Sequence, residues 1–170
     1  MKSIFLALAL LLTGLMAGNI GDAQAKGPAD KATGYVLGAP TDHPLWWHSF
    51  DFAAHEMGNA PGGKGFVKHF RLDIDGVTPI REEFCPIVYV IVSDDEAWFS
   101  GPIIYDSEDP DPTRWMVFYV LDGGQPGKGN DMLLWQRVEN EAAALAYLDG
   151  GEDDYKDYVI VEGNIRVHTK

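Results

Sequence analysis

Short runs of aromatic and β-branched residues, separated by clusters of Gly, Pro, Asn and Asp, set the strongest limit on what this chain can fold into. The runs are Trp46–Ala53, Gly65–Leu72, Ile87–Val92, Ala97–Ile104, Trp115–Leu121, Met132–Val138, Tyr158–Val161 and Ile165–His168. Each has the length and composition of a strand. Gly58–Gly63, Asp106–Pro112 and Asp122–Asp131 carry turn chemistry between them. About 8–10 short strands at this spacing predict an all-β fold, an antiparallel β-sandwich of jelly-roll or Ig-like two-sheet form. Gly34-Tyr35-Val36-Leu37 offers a first strand. Asn140–Gly150 is the exception. Its capping Asn, helix-forming Ala and Leu and closing Gly read locally as one short helix.

The N-terminus speaks to destination. Lys2, an apolar run from Ile4 to Leu15 and the small-residue site Ala23-Gln24-Ala25 have the layout of a cleaved signal peptide over residues 1–25. Residues 26–170 then form one domain, with 26–31 a flexible lead-in, and the product is exported to periplasm, cell surface or medium. The apolar run is short for a membrane span, and no other segment suggests insertion. Removing residues 1–25 takes away Lys2 and Asp22 and leaves the net charge at −13. Such a surface repels phosphate backbones, so nucleic acid is not an expected partner, whereas cations are. The single cysteine, Cys85, precludes an internal disulfide and reads as a buried, inert thiol beside an apolar run.

From Thr33 onward the order of motifs resembles a family of secreted bacterial β-sandwich domains, found alone or appended to choice-of-anchor surface proteins. The resemblance rests on Ala32-Thr33-Gly34, Phe50-Asp51-Phe52-Ala53-Ala54, Pro61–Phe70, Ala97-Trp98-Phe99-Ser100-Gly101, the Asp122–Asp131 loop and Glu162–His168. Gly123 and Glu162 depart from the family pattern. The resemblance implies architecture and an extracellular setting without a catalytic activity. It also implies a strand over Ala144–Leu148 in place of the helix that local propensity favours, and the strand is the expectation adopted.

The Asp122–Asp131 loop is the foremost candidate site. Its glycines can turn carbonyls inward, and Asp122 and Asp131 can add hard oxygens for calcium. The alternative is a connection in which both carboxylates accept backbone N–H bonds. The acidic run Asp106–Pro112 lacks the Gly and closing Glu of an EF-hand and reads as a solvated hairpin tip. His48 and His55 lie an odd number of residues apart, which places them on opposite faces of one strand and argues against a shared metal. The histidines are therefore read as scattered. Trp46 and Trp47 are adjacent, so one ring faces outward, where it can meet a sugar or a protein. No Gly-x-Ser-x-Gly elbow occurs. The expected function is a non-catalytic extracellular binding or structural module with a protein or glycan partner and no cofactor beyond calcium. A calcium- or carbohydrate-binding module and a secreted hydrolase are the alternatives.

Overall fold

The computed structural model describes residues 30–58, 61–124, 130–149 and 156–170. The signal-peptide reading therefore lies outside the described residues. Strands β1 (Lys31–Pro40), β2 (Trp47–Glu56), β3 (Gly62–Leu72), β4 (Pro79–Ser93) and β5 (Glu96–Pro102) come first. The short β6 (Tyr105–Asp106), then β7 (Trp115–Leu121), β8 (Met132–Val138), helix α1 (Glu141–Leu148) and β9 (Lys156–His168) follow. Lys31, expected in a flexible lead-in, instead opens β1.

All the described strands are antiparallel to their partners and belong to one sheet, in the order β3-β2-β1-β9-β8-β7-β5-β4-β6, with β3 also paired to β4. That last pairing brings the two ends of the order together, so the sheet curls round on itself. The all-β expectation holds. The strands do not separate into two hydrogen-bonded sheets as the sandwich reading expected. The physical reason lies partly in β4, whose 15 residues pair with β3 over Pro79–Tyr89 and with β5 over Tyr89–Ser93. The strands that contain Thr33–Leu37 and Ile165–His168 pair with each other, and β1 has β2 on its other side.

Alternation decides what fills the interior. Phe50, Phe52 and Ala54 of β2 are buried while Asp51 is exposed. Met116, Phe118 and Val120 of β7, Ala97 and Phe99 of β5, and Leu133 and Trp135 of β8 point the same way. Phe118 stacks on Phe99 with ring centres 5.1 Å apart and meets Phe50 edge-on at 6.2 Å. Cys85 is buried in this core, and burial pushes its thiol pKa far up, as an inert cysteine requires.

The segment around Ala144–Leu148 is helical, which corrects the strand taken from the family resemblance. Asn140 is extended, and its Oδ1 accepts from Ala143 N at 3.0 Å, the bond of an N-cap. The helix lies outside the curled sheet, where Ala144 covers Val117 and Val138. Tyr89 Oη donates to Glu141 at its first turn.

Two glycines permit the bulges that bend the sheet. The β3–β4 register slips between Gly62 and Gly65, and the β1–β9 register slips between Leu37 and Gly38. Gly65 has φ +150° and a Cβ there would lie 1.8 Å from Ala53 O; Gly163 has φ +131°, with Tyr35 O 2.1 Å away. Gly65→Ala is expected to lower unfolding free energy by about 2 kcal/mol or more, from backbone strain and the clash together. Urea denaturation monitored by tryptophan fluorescence checks this, and an unchanged midpoint would contradict it.

Candidate functional site

β1, β3 and β8 end, and β2, β4 and β7 begin, at one mouth of the curled sheet. Inward positions here carry polar side chains. His48 stands opposite Arg71, Arg71 opposite Arg81, and His69 opposite Glu83 in the strand registers. Arg137 comes two residues after Trp135, on the same inward parity of β8.

These residues form a continuous network. His48 Nδ1 lies 2.7 Å from His69 Nε2, and His69 Nδ1 lies 2.7 Å from Glu83 Oε2. Glu83 is buried, and Arg137 grips it with two bonds, Nε donating to Oε1 at 3.0 Å and Nη2 to Oε2. Arg81 Nη2 adds a 3.3 Å ion pair to Oε1 and also chelates Asp106. Below, the Phe50 ring stacks 4.7 Å from His69, Trp135 sits at 4.7 Å from the same imidazole, and the Arg137 guanidinium lies 4.9 Å from the Trp135 ring.

Burial alone raises the Glu83 pKa, but the His69 and Arg137 hydrogen bonds and the nearby cations outweigh it, so the carboxyl is held well below the usual range. Burial lowers the His69 pKa more than the Glu83 carboxylate raises it, and Arg137 and Arg81 add to the lowering. The protonation states follow. Glu83 is ionised and His69 is neutral, donating from Nδ1 to Glu83. Its Nε2 then accepts, so His48 donates from Nδ1. The carboxylate thus orients two imidazoles in series.

Above the network opens a cleft of about 280 Å³, with Trp46, His48, Arg71, Arg114, Gln136 and Arg137 among its walls and no acidic residue among the described lining. Three of the chain's 13 basic residues thus face one hollow in a molecule of net charge −13. Arg71 Nη2 donates to Glu108 at 2.9 Å, but among the described residues its buried Nε has no hydrogen-bond partner, and neither has the buried Nε2 of Gln136. Arg114 is exposed and makes no ion pair among the described residues. Buried donors without acceptors are costly, and guanidinium forks match carboxylates. The cleft is equipped to hold an oxyanion.

The sequence-level candidates fall elsewhere. Asp131 Oδ1 accepts from Gly123 N at 3.1 Å and Oδ2 from Ile165 N at 2.6 Å; Asp122 Oδ1 accepts from Gly124 N at 3.0 Å and Oδ2 from Val167 N at 3.1 Å. All four carboxylate oxygens thus organise backbone, tying the loop to β9. Residues 125–129 of that loop lie outside the described set. Among the described residues, no group of three or more His, Cys, Asp or Glu is placed to hold a metal ion. Asp106, expected at a solvated tip, is buried against Arg81, and Glu108 pairs with Arg71 and Arg81. His48 and His55 take opposite parities as expected, but the histidines are not scattered, since His48 meets His69 on the next strand. Trp46 is the outward tryptophan of its pair, half-exposed at the rim of the cleft. Glu83, Arg71, Arg114 and Arg137 carry no motif that singles them out in the sequence, and His69 reads there only as one of the scattered histidines. The available signal was parity, because polar residues occupy positions that continue the apolar alternation Val67-x-His69-x-Arg71 and Glu83-x-Cys85-x-Ile87.

Asp131→Ala leaves the Ile165 N–H buried and unpaired, an expected loss of about 1–3 kcal/mol. Urea unfolding in chelator reads it; a loss that appears only with calcium present would make the loop a calcium site. His69 gives a pH test. Its folded pKa is below the unfolded value of 6.5, so the unfolded chain binds more protons below that value and stability falls as pH drops from 7 to 5. The depressed Glu83 contributes stability present above the ordinary carboxylate range and lost in stronger acid. His69→Gln is expected to flatten the pH 7-to-5 slope, with His55, also lowered by burial and by Lys31 and Lys64, leaving a residual slope. An unaltered slope in the variant would contradict the assignment.

Comparison with known proteins finds no matching family model, no matching curated protein and no matching solved structure, so the chemistry of the cleft itself has to indicate the function.

Proposed function

We propose that the protein is an exported, non-catalytic binding module that captures a small carboxylate in the cleft of Arg71, Arg114 and Arg137. The observation that carries this reading is three arginines around one hollow with no acidic residue in its described lining. Charge selects a monoanion. Glu83 neutralises Arg137 and Glu108 neutralises Arg71, which leaves about one positive charge on Arg114. The surrounding negative surface adds selectivity, since polyanions are repelled before they reach the mouth. Export rests on the residue 1–25 pattern and matches the resemblance to secreted domains. Periplasm, cell surface and medium all fit.

The histidine relay favours a second reading, a secreted hydrolase in which His48 acts as a base oriented by His69 and Glu83. Turnover of a simple ester, abolished by His48→Gln, would promote it.

Acetate titration followed through arginine Nε–H and tryptophan indole NMR signals tests the binding reading. Saturable shifts of Arg71 and Trp46 at millimolar acetate are expected, absent with chloride at equal ionic strength. Arg114→Ala should weaken binding about 5-fold or more, the loss of one charge-assisted contact. No shift beyond the chloride control would reject the anion site.

A further inference from the structure

An apolar hollow of about 410 Å³ adjoins the cationic cleft, and the two share Trp46 and Arg71 as walls. Leu45, Ile74 and Ile80 line it at 62%, 66% and 47% exposure, with the buried Leu72 and the exposed Asp73 completing the wall. These side chains are not on loose loops. Asp75 accepts from Val77 N, Thr78 N and the Thr78 hydroxyl, closing the 73–78 turn at the end of β3. Trp46 N donates to His43 O at 2.9 Å, and its ring stacks on His43 with centres 4.1 Å apart. Apolar area is thus held in water by ordered turns, directly beside a cleft walled by three arginines. Exposed apolar patches of this kind mark binding surfaces.

We propose that the carboxylate taken by the cleft belongs to a single-chain amphiphile, a free medium-chain fatty acid whose tail lies over Leu45, Ile74 and Ile80. The inference rests on the anion-site reading and adds the substrate class. Arg71, which lines both hollows, combines an aliphatic stem with a charged head, and Trp46, shared in the same way, offers an apolar body. A dissolved monoanion suits the residual charge of the cleft. An anionic bilayer is disfavoured, because its surface would face the net charge of −13 across a broad front.

Calorimetric titration of acetate, octanoate and octanol into the domain tests this, with the uncharged Leu45→Ser/Ile74→Ser as the companion variant. Both substituted residues are exposed, so the fold is not at stake. Octanoate should bind at least about 100-fold tighter than acetate, given about fourfold per fully buried methylene, and octanol much more weakly than octanoate. The double variant should keep acetate affinity and lose most of the gain from the chain. Octanoate binding no tighter than acetate, octanol binding as tightly as octanoate, or an unimpaired double variant would each overturn the proposal while leaving the anion site standing. Failure of acetate and octanoate alike would remove both. Binding to phosphatidylglycerol vesicles without binding to octanoate would also overturn it, in favour of a membrane surface.

Discussion

The ionised carboxylate of Glu83 is the constraint on which the mouth of this molecule depends. A buried charge is expensive unless its lone pairs are filled and its field is matched. Here His69, Arg137 and Arg81 do both, from three directions. The contacts tie β3, β4 and β8 together across the interior, strands that are not all neighbours in the sheet. They also fix two of the side chains that face the cleft. With Nε and Nη2 of Arg137 committed to Glu83, the guanidinium plane is fixed, and with His69 donating to the same carboxylate, the His48 tautomer is fixed as well.

That arrangement divides the interior into two zones. Away from the mouth, Phe50, Phe99, Phe118 and Trp135 supply the dry packing that stabilises the curled sheet. At the mouth, residues of the same inward parity are ionised or hydrogen-bonding. Phe50 and Trp135 touch both zones, since their rings contact His69. The aromatic layer is thus the floor of the polar network, and it supplies the burial that keeps His69 neutral. The remaining apolar surface of β7 is sealed separately by α1, so the outer helix leaves the mouth open.

Much of the fold was legible because strand alternation and turn chemistry are local properties. The runs at Trp115–Leu121 and Met132–Val138 match β7 and β8 residue for residue. Sheet closure was not legible, since it depends on β3 meeting β4 along both halves of a bulge at Gly62–Gly65. The helix shows local propensity prevailing: Asn140, Ala142, Ala143 and Ala144 encode the capped turn, and the packing of Ala144 on Val117 and Val138 agrees with it. The site was the least legible part. His69 and Glu83 are 14 residues apart and Glu83 and Arg137 are 54 apart, so only the register of the sheet brings them together. Comparing His48 with His55 along one strand could not find His69 across the next. Acidic clusters drew attention in the sequence because they are dense, yet Asp122 and Asp131 spend all four oxygens on backbone N–H groups.

The cleft's accessibility follows from the unequal strength of its ion pairs. Glu83 sits at 0% side-chain exposure, where its arginine pairs are strong and removal of either partner would strand a charge. Glu108, at 42%, pairs with Arg71 and Arg81 near water, where screening leaves such contacts worth little. A carboxylate captured as proposed would therefore compete with Glu108 for Arg71, the pair that water already screens. The deep pair gives the mouth its shape and the shallow pair is the one that a ligand would displace, a division of roles set by depth alone.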